Sequence, residues 1–238
     1  MRALVILHDP GSIPSLVGDR LEHHGYTLDY LPIEAGLTAQ NVTVDFPAAT
    51  DYDLIVPMGA VWSVYDTDKI GRWIEPELDL IRDADAAGIP VLGVCFGGQA
   101  IAAALGGRVV PSDVPQVGWY HLETAVPEAI AAGPWMQWHY DRFEAPDDAE
   151  VLAHDEVGTQ AFRLRRNLGL QFHPEVTREH LALWLDMDNA SDDDGLDALG
   201  LTAEGLLADT EANVPLAKPN TDQLVDWFLA EVATAPRS

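Results

Sequence analysis

A chain of 238 residues with 47% hydrophobic and 22% charged side chains has an ordinary globular composition and enough length for a sizeable core. Its charge is not ordinary: 39 Asp and Glu against 13 Lys and Arg give a formal net charge of −26, a field that repels phosphate backbones and anionic membrane surfaces and argues against a nucleic-acid partner. The single cysteine, Cys95, excludes an intramolecular disulfide framework, and no apolar run is long enough to span a bilayer.

The first apolar run, Ala3–Leu7, is too short for a signal segment and reads as a buried strand, so the expected location is the cytoplasm. Ser15–His24 reads as a helix closed by Gly25, Thr27–Leu31 as a second strand and Asp53–Pro57 as a third. Lys69–Ala87 sets Ile70, Trp73, Ile74, Leu78 and Ile81 at helical spacing and ends at Gly88. Val91–Val94 is the next strand and Phe96–Leu105 the next helix. This alternation predicts an α/β fold, a mainly parallel central sheet with helices on both faces. From 107 to 172 the short runs "GWYHLET", "EVLAHD", "QAFRLR" and "LGLQF", broken by Pro and Gly, predict an antiparallel or mixed extension of that sheet. After Pro174 a helix is expected from Thr177 to about Asp186. An acidic stretch with Leu196, Leu199, Leu201, Leu206 and Leu207 then reads as small amphipathic helices with a solvated acidic face. Asp222–Ala233 makes a closing helix. One domain is expected over 1–238, with a C-terminal acidic helical segment at about 186–238.

The densest chemical signal is "VLGVCFGGQ", Val91 to Gln99. A strand runs into Cys95, and Gly93, Gly97 and Gly98 around it tolerate tight or strained backbone. This is the arrangement of a nucleophile elbow, a sharp strand-to-helix turn that projects a side chain from the sheet edge. The helix N-terminus favours the thiolate, and the N–H of Phe96 falls where an oxyanion donor is needed. Outside that context a lone cysteine is a small buried hydrophobe. A nucleophilic thiolate also needs a base, and the base an orienter. Among the eight histidines His173 stands out, because "LGLQFHPEV" is an apolar strand running into His173-Pro174-Glu175. Pro174 ends the strand and Glu175 is close enough to fix the ring's tautomer. Both Cys95 and His173 then sit at C-terminal strand ends, where open α/β sheets place their sites. No Cys/His cluster has the spacing of metal ligands, and no Gly-rich phosphate cradle occurs, so neither metal nor cofactor is expected.

Gly93-Val94-Cys95-Phe96-Gly97-Gly98-Gln99 followed by His173-Pro174-Glu175 resembles the class I, triad-type glutamine amidotransferase superfamily, whose fold is flavodoxin-like and three-layered. "DYDLIVPMGAVWSVYD" and the run from "QWHYDRFEAPDD" to "NLGLQFHPEVT" are similar, more narrowly, to stand-alone proteins like the amidotransferase domain of GMP synthase. The resemblance implies that Cys95 attacks the side-chain amide of L-glutamine and forms a γ-glutamyl thioester, with His173 as proton shuttle and Glu175 as its orienter. It implies an oxyanion hole from the N–H of Phe96 and the turn "PMGAV", with Gly59 the best match. Gln99 would position the substrate's α-amino-acid end, and Gly118, Trp119 and the loop His139-Tyr140-Asp141 match pocket-lining segments. The chain departs from relatives in three places: one glycine in the turn Met58-Gly59-Ala60-Val61-Trp62 where two are usual, Gly98 where His is common, and Gln116 in place of a Glu. These bear on the substrate more than on the chemistry. Only 63 residues follow Glu175, too few for an ATP-using domain. Two enzyme readings follow: a glutaminase that supplies ammonia to a separate synthetase subunit, and a free-standing hydrolase of γ-glutamyl amides or peptides. A third reading, a non-catalytic protein that binds a metabolite or partner, is opposed by the intact Cys95, His173 and Glu175 set.

Overall fold

The structure is a computed structural model that describes residues 1–33, 41–189 and 195–235. Five strands run parallel: β1 (Arg2–Leu7), β2 (Thr27–Pro32), β3 (Leu54–Pro57), β4 (Val91–Val94) and, much later in the chain, β10 (Asn167–Leu170). Three more, β6 (Glu123–Thr124), β8 (Glu150–His154) and β9 (Thr159–Leu164), extend the sheet antiparallel. Among the described residues these eight strands form one sheet in the order β2-β1-β3-β4-β10-β9-β8-β6. Every residue of β3, β4 and β10 is buried, which is why their sequences are short continuous runs and not alternating ones.

The two faces of the sheet carry separate cores. Ala3 and Val5 of β1 face α1 (Ser15–His23) and α6 (Ala203–Trp227), packing with Val17, Leu21, Leu224 and Val225. Leu4 and Ile6 face α2 (Thr67–Ala87) and α3 (Phe96–Ala104), packing with Ile70, Trp73, Ile74, Phe96 and Ile101. The period-2 side-chain alternation of one strand thus feeds helices on both sides, as an α/β layering requires. No helix among the described residues is long and apolar enough to cross a membrane.

Two expectations are corrected. His139-Tyr140-Asp141 is not a loop: it lies inside β7 (Trp135–Glu144), which pairs with β5 (Arg108–Tyr120) in a separate two-stranded antiparallel sheet. The strand does alternate, with Trp135, Gln137, His139, Asp141 and Phe143 all buried. Three of those five inward positions are polar, so the hydropathy pattern conceals the strand. The second correction concerns the C-terminal helices. No break precedes Asp222; α6 continues through Pro215 and Pro219 and widens into a π-helical turn at Phe228–Val232. Proline removes a helical hydrogen bond, but burial of Leu206, Thr210, Ala217, Thr221, Leu224 and Val225 holds the helix along its length. Thr221 Oγ1 also donates to Pro174 O at 2.7 Å. Residues 190–194 of the acidic stretch lie outside the described residues. On either side of them are α4 (Arg178–Asn189) and α5 (Gly195–Ala198), and Leu181, Leu185, Leu196 and Leu206 pack with Val117 of β5 and Met136 of β7.

The C-terminal ends of β1, β3, β4 and β10 converge on one rim of the sheet, beside the point where strand order reverses between β1 and β3. Open α/β sheets present their sites at this place.

Candidate active site

Cys95 is the single residue between β4 and α3, with φ 51° and ψ −107°. A non-glycine residue in that region costs about 1–3 kcal/mol and persists only where its surroundings enforce it. They do so here: Cys95 N donates to Leu170 O at 2.8 Å, Gly97 N to Met58 O at 3.1 Å, and Gln99 N to Cys95 O at 2.9 Å. The glycines around it answer a steric demand. A Cβ on Gly93 would lie 2.4 Å from Gly97 O, one on Gly97 1.9 Å from Pro57 O, and one on Gly98 2.3 Å from Leu170 O. The elbow is wedged between the ends of β3 and β10, and only bare backbone fits.

His173 follows β10, its N–H donating to Met136 O of β7 at 2.8 Å. Its Nδ1 lies 2.8 Å from Glu175 Oε1, so Nδ1–H donates to the carboxylate and the tautomer is set. The three side chains are almost sealed from solvent: Cys95 is 5% exposed, His173 4% and Glu175 1%. Trp184 of α4 stands edge-on to the His173 ring, centroids 4.6 Å apart, and its Nε1 donates to Gly11 O at 2.8 Å. Nε2 of His173 is buried and makes no hydrogen bond of ordinary length, while Cys95 lies close enough to act on the ring's charge. Burial alone would strip the ring of its proton. The Glu175 carboxylate and the neighbouring Cys95 sulfur outweigh it and push His173 up to about 10. A thiol beside an imidazolium that a carboxylate holds is the arrangement that supports a thiolate nucleophile. Gly59, at the end of β3, completes the group: a Cβ there would lie 3.2 Å from His173 Cε1 and 3.9 Å from Cys95 Cβ.

The raised proton affinity of His173 carries a consequence for stability. The folded protein keeps a proton that the unfolded chain releases near 6.5. The contribution is therefore complete below about pH 6.5 and is lost as pH climbs toward about 10. Glu175→Gln removes the leading cause of the raised affinity and is expected to flatten this alkaline decline, read as Tm against pH between 6 and 10.

Polar side chains surround the thiol. Gln171 Nε2 donates to Cys95 Sγ at 3.8 Å, and the thiol faces Trp138 O at 3.9 Å. Gln99 is buried and its Nε2 donates to Asp141 O at 3.4 Å and Gln171 Oε1 at 3.5 Å. His139 Nδ1 donates to the same Asp141 O at 2.8 Å, and its Nε2 lies 3.1 Å from Gln116 Oε1. Burial pushes His139 down to about 4, so this ring stays neutral. The Asp141 carboxylate accepts from Tyr65 OH at 2.6 Å and from Ser63 Oγ. Gln99, His139 and Asp141 are thus gathered at the elbow. The Phe96 ring packs against His8, centroids 4.8 Å apart, and its N–H opens α3. Gly118 has φ 121° and pairs with Gln137; Trp119 turns to α6, its Nε1 donating to Thr210 Oγ1 at 2.9 Å. Tyr140, between two inward residues of β7, is exposed. Gln171 and Trp184 escape a reading of the sequence alone, although Gln171 is the one polar residue inside the apolar run "LGLQF". Among the described residues no group of three or more His, Cys, Asp or Glu side chains is arranged to hold a metal ion.

A family model, glutamine amidotransferase class-I, matches residues 6–182. GMP synthase (glutamine-hydrolyzing) of Thermomicrobium roseum is 36% identical over 137 residues, 53% of this chain and 24% of that protein. The enzyme of the same name from Thermosipho melanesiensis is 31% identical over 186 residues, 74% of this chain and 33% of that protein. The chain therefore spans a quarter to a third of the length of these curated relatives. The crystal structure of a glutamine amidotransferase from Thermotoga maritima matches with a TM-score of 0.81 at 25% identity, covering 97% of this chain and 99% of that one. One from Methylobacillus flagellatus shares the fold with a TM-score of 0.83 at 23% identity, covering 96% and 94%.

Proposed function

Because the chain belongs to the class-I glutamine amidotransferase family, we propose that it cleaves the side-chain amide of L-glutamine through a thioester on Cys95 and yields ammonia for a separate acceptor enzyme. The observation that carries this reading is the conjunction at the sheet rim: a strained Cys95, and a buried His173 whose Nδ1 is 2.8 Å from Glu175. The Cys95 thiolate attacks the amide carbon, and the oxygen that becomes negative is held by the N–H of Phe96 and by the Gly59 turn. His173 gives its Nε2 proton to the departing nitrogen, and ammonia leaves as the thioester forms. A water then enters, His173 Nε2 takes one of its protons, and the oxygen displaces the sulfur to release glutamate. Glu175 holds the ring in one tautomer through both halves. Gln99 and Asp141 shape the floor beside the sulfur, with Gln171 as donor to the thiolate.

The ammonia acceptor is proposed to be a synthetase on another chain. The longer relatives are named GMP synthase, and this chain matches about a quarter to a third of their length. The acidic segment is read as part of the same domain, because Leu196 and Leu206 bury against β5 and β7 beside His173. The test gives purified protein L-glutamine and, separately, a panel of γ-glutamyl dipeptides, and measures ammonia, glutamate and free amine. Glutamine is expected to be hydrolysed with the dipeptides left intact. Dipeptide cleavage with idle glutamine overturns the ammonia-supplying reading in favour of a γ-glutamyl hydrolase.

A further inference from the structure

A buried histidine–carboxyl pair lies behind the oxyanion turn. His8, the residue after β1, is 1% exposed, and Glu77 of α2 is 0% exposed. His8 Nε2 is 3.0 Å from both Glu77 carboxylate oxygens, and Nδ1 is 3.1 Å from Gly59 O. Phe96 and Trp73 pack around the ring at 4.8 and 5.6 Å between centroids. Glu77 falls on the face of α2 that buries Ile70, Trp73, Ile74 and Ile81. A carboxylate there is costly unless paired, so its presence needs a reason beyond packing.

We propose that His8 and Glu77 are positioning residues that fix the oxyanion turn by holding the carbonyl of Gly59. The inference rests on the glutaminase reading, which makes this turn an oxyanion donor. A carbonyl only accepts, so His8 Nδ1 must carry a hydrogen to engage it. Glu77 secures that state. Whether the proton between Nε2 and the carboxylate rides on the ring or on the acid, Nδ1–H still donates to Gly59 O. A lone neutral histidine could move its hydrogen to Nε2 and release the turn. The side-chain hydroxyl of Ser12 donates to the same oxygen at 2.7 Å, and the Asp9 carboxylate accepts from Val61 N at 3.2 Å. Gly59 O therefore has two donors on the side of β1. A trans peptide directs its N–H opposite to its C=O, so this grip fixes the Ala60 N–H directly and, through the shared Cα of residue 59, limits how far the Gly59 N–H of the preceding peptide can turn. On its other side, residue 59 lies against His173 and Cys95.

Three variants of the full-length protein test the pair. His8→Phe keeps a packed ring without a donor, and Glu77→Leu frees the tautomer. Both are expected to lower kcat for glutamine about 10- to 100-fold with KM changed less than about threefold, because a misdirected oxyanion donor acts on the transition state. Alkylation of Cys95 by iodoacetamide, which forms no oxyanion, is expected to keep its wild-type rate. Glu77→Gln can donate to Nε2 and hold the hydrogen on Nδ1, so it is expected to recover kcat to within about threefold of wild type. Unchanged kcat in the first two variants, alkylation falling in step with kcat, or Glu77→Gln as impaired as Glu77→Leu overturns the proposal. Nitrogen-15 spectra of wild-type His8 read the pair without substrate and without any variant that must fold: a hydrogen on Nδ1 supports it, and a bare Nδ1 refutes it. Wild-type protein that leaves glutamine intact would refute the glutaminase reading instead, so the two failures are distinct.

Discussion

Cys95→Ala is expected to remove glutamine hydrolysis by on the order of 10⁴-fold or more while leaving the fold in place. Cys95 is the only cysteine in the chain, so no neighbouring thiol can take its role. The substitution keeps the Cβ and removes one sulfur, which touches Trp138 O at 3.9 Å and Gln171 Nε2 at 3.8 Å. Alanine meets the same penalty at φ 51° that cysteine already carries, so the elbow has no new reason to relax. Stability should therefore shift by about 1 kcal/mol or less, while ammonia release falls to background. His173→Asn in the Cys95→Ala background should cost nothing further, because residues that act as one unit are not additive. Ammonia release that survives Cys95→Ala under matched protein concentration refutes the assignment of the nucleophile.

Gly97→Ala has the larger structural effect, although it adds a single methyl group. The new carbon would fall 1.9 Å from Pro57 O, 2.6 Å from Pro57 C and 3.0 Å from Pro57 Cβ, all part of β3 or its proline ring. None of these can rotate away. Relief requires α3 to separate from β3, which breaks the Gly97 N to Met58 O hydrogen bond and tilts the elbow. A destabilisation on the order of 3–5 kcal/mol is expected, at the severe end for one substitution. Any folded fraction should lose activity at least about 100-fold, since a shift of about 1 Å in a reacting group has that cost. Gly71→Ala supplies the contrast. In α2 its Cβ would meet only Thr67 Cβ at an ordinary 3.7 Å, so it should stabilise by about 0.5–1 kcal/mol through helix propensity. Urea unfolding of both variants beside wild type measures the pair, and a Gly97→Ala protein as stable as wild type contradicts the steric account.

The parallel half of the sheet is legible in the sequence because burial on both faces writes it as short unbroken runs, such as "LIVP" and "VLGV". The elbow is legible for a related reason: three glycines crowd one cysteine, and each proves to have backbone where a side chain would stand. β7 is hidden because Gln137, His139 and Asp141 occupy inward positions and find partners inside the fold: Gln137 Nε2 donates to Gln160 Oε1, His139 Nδ1 to Asp141 O, and the Asp141 carboxylate accepts from Tyr65 and Ser63. A hydropathy pattern records partition from water and is blind to polar groups whose partners arrive from distant strands. α6 is misread at Pro215 and Pro219 because a local helix-breaking rule is overridden by burial along the whole helix. Glu77 is legible in principle as a lone charge on an apolar stripe. Its partner His8 lies 69 positions away, and only the β1–β3 neighbourhood brings the two together.

β10 occupies the middle of the sheet but is contributed late in the chain. It forms a tight hairpin with β9 through Arg165, at φ 55°, and then docks Gly169 and Leu170 beside Gly93 and Val94 of β4. Gln171 is 76 positions from Cys95, and His173 follows it by two. Non-local parallel pairing of this kind forms after local structure, because the intervening loop must first be closed. Until the hairpin docks, Cys95 sits on a glycine-rich turn with no base beside it and no Leu170 carbonyl to hold its N–H. Docking of that hairpin is thus also the step that brings His173 and Gln171 to Cys95, and a chain that has not yet placed β10 carries the cysteine without either neighbour.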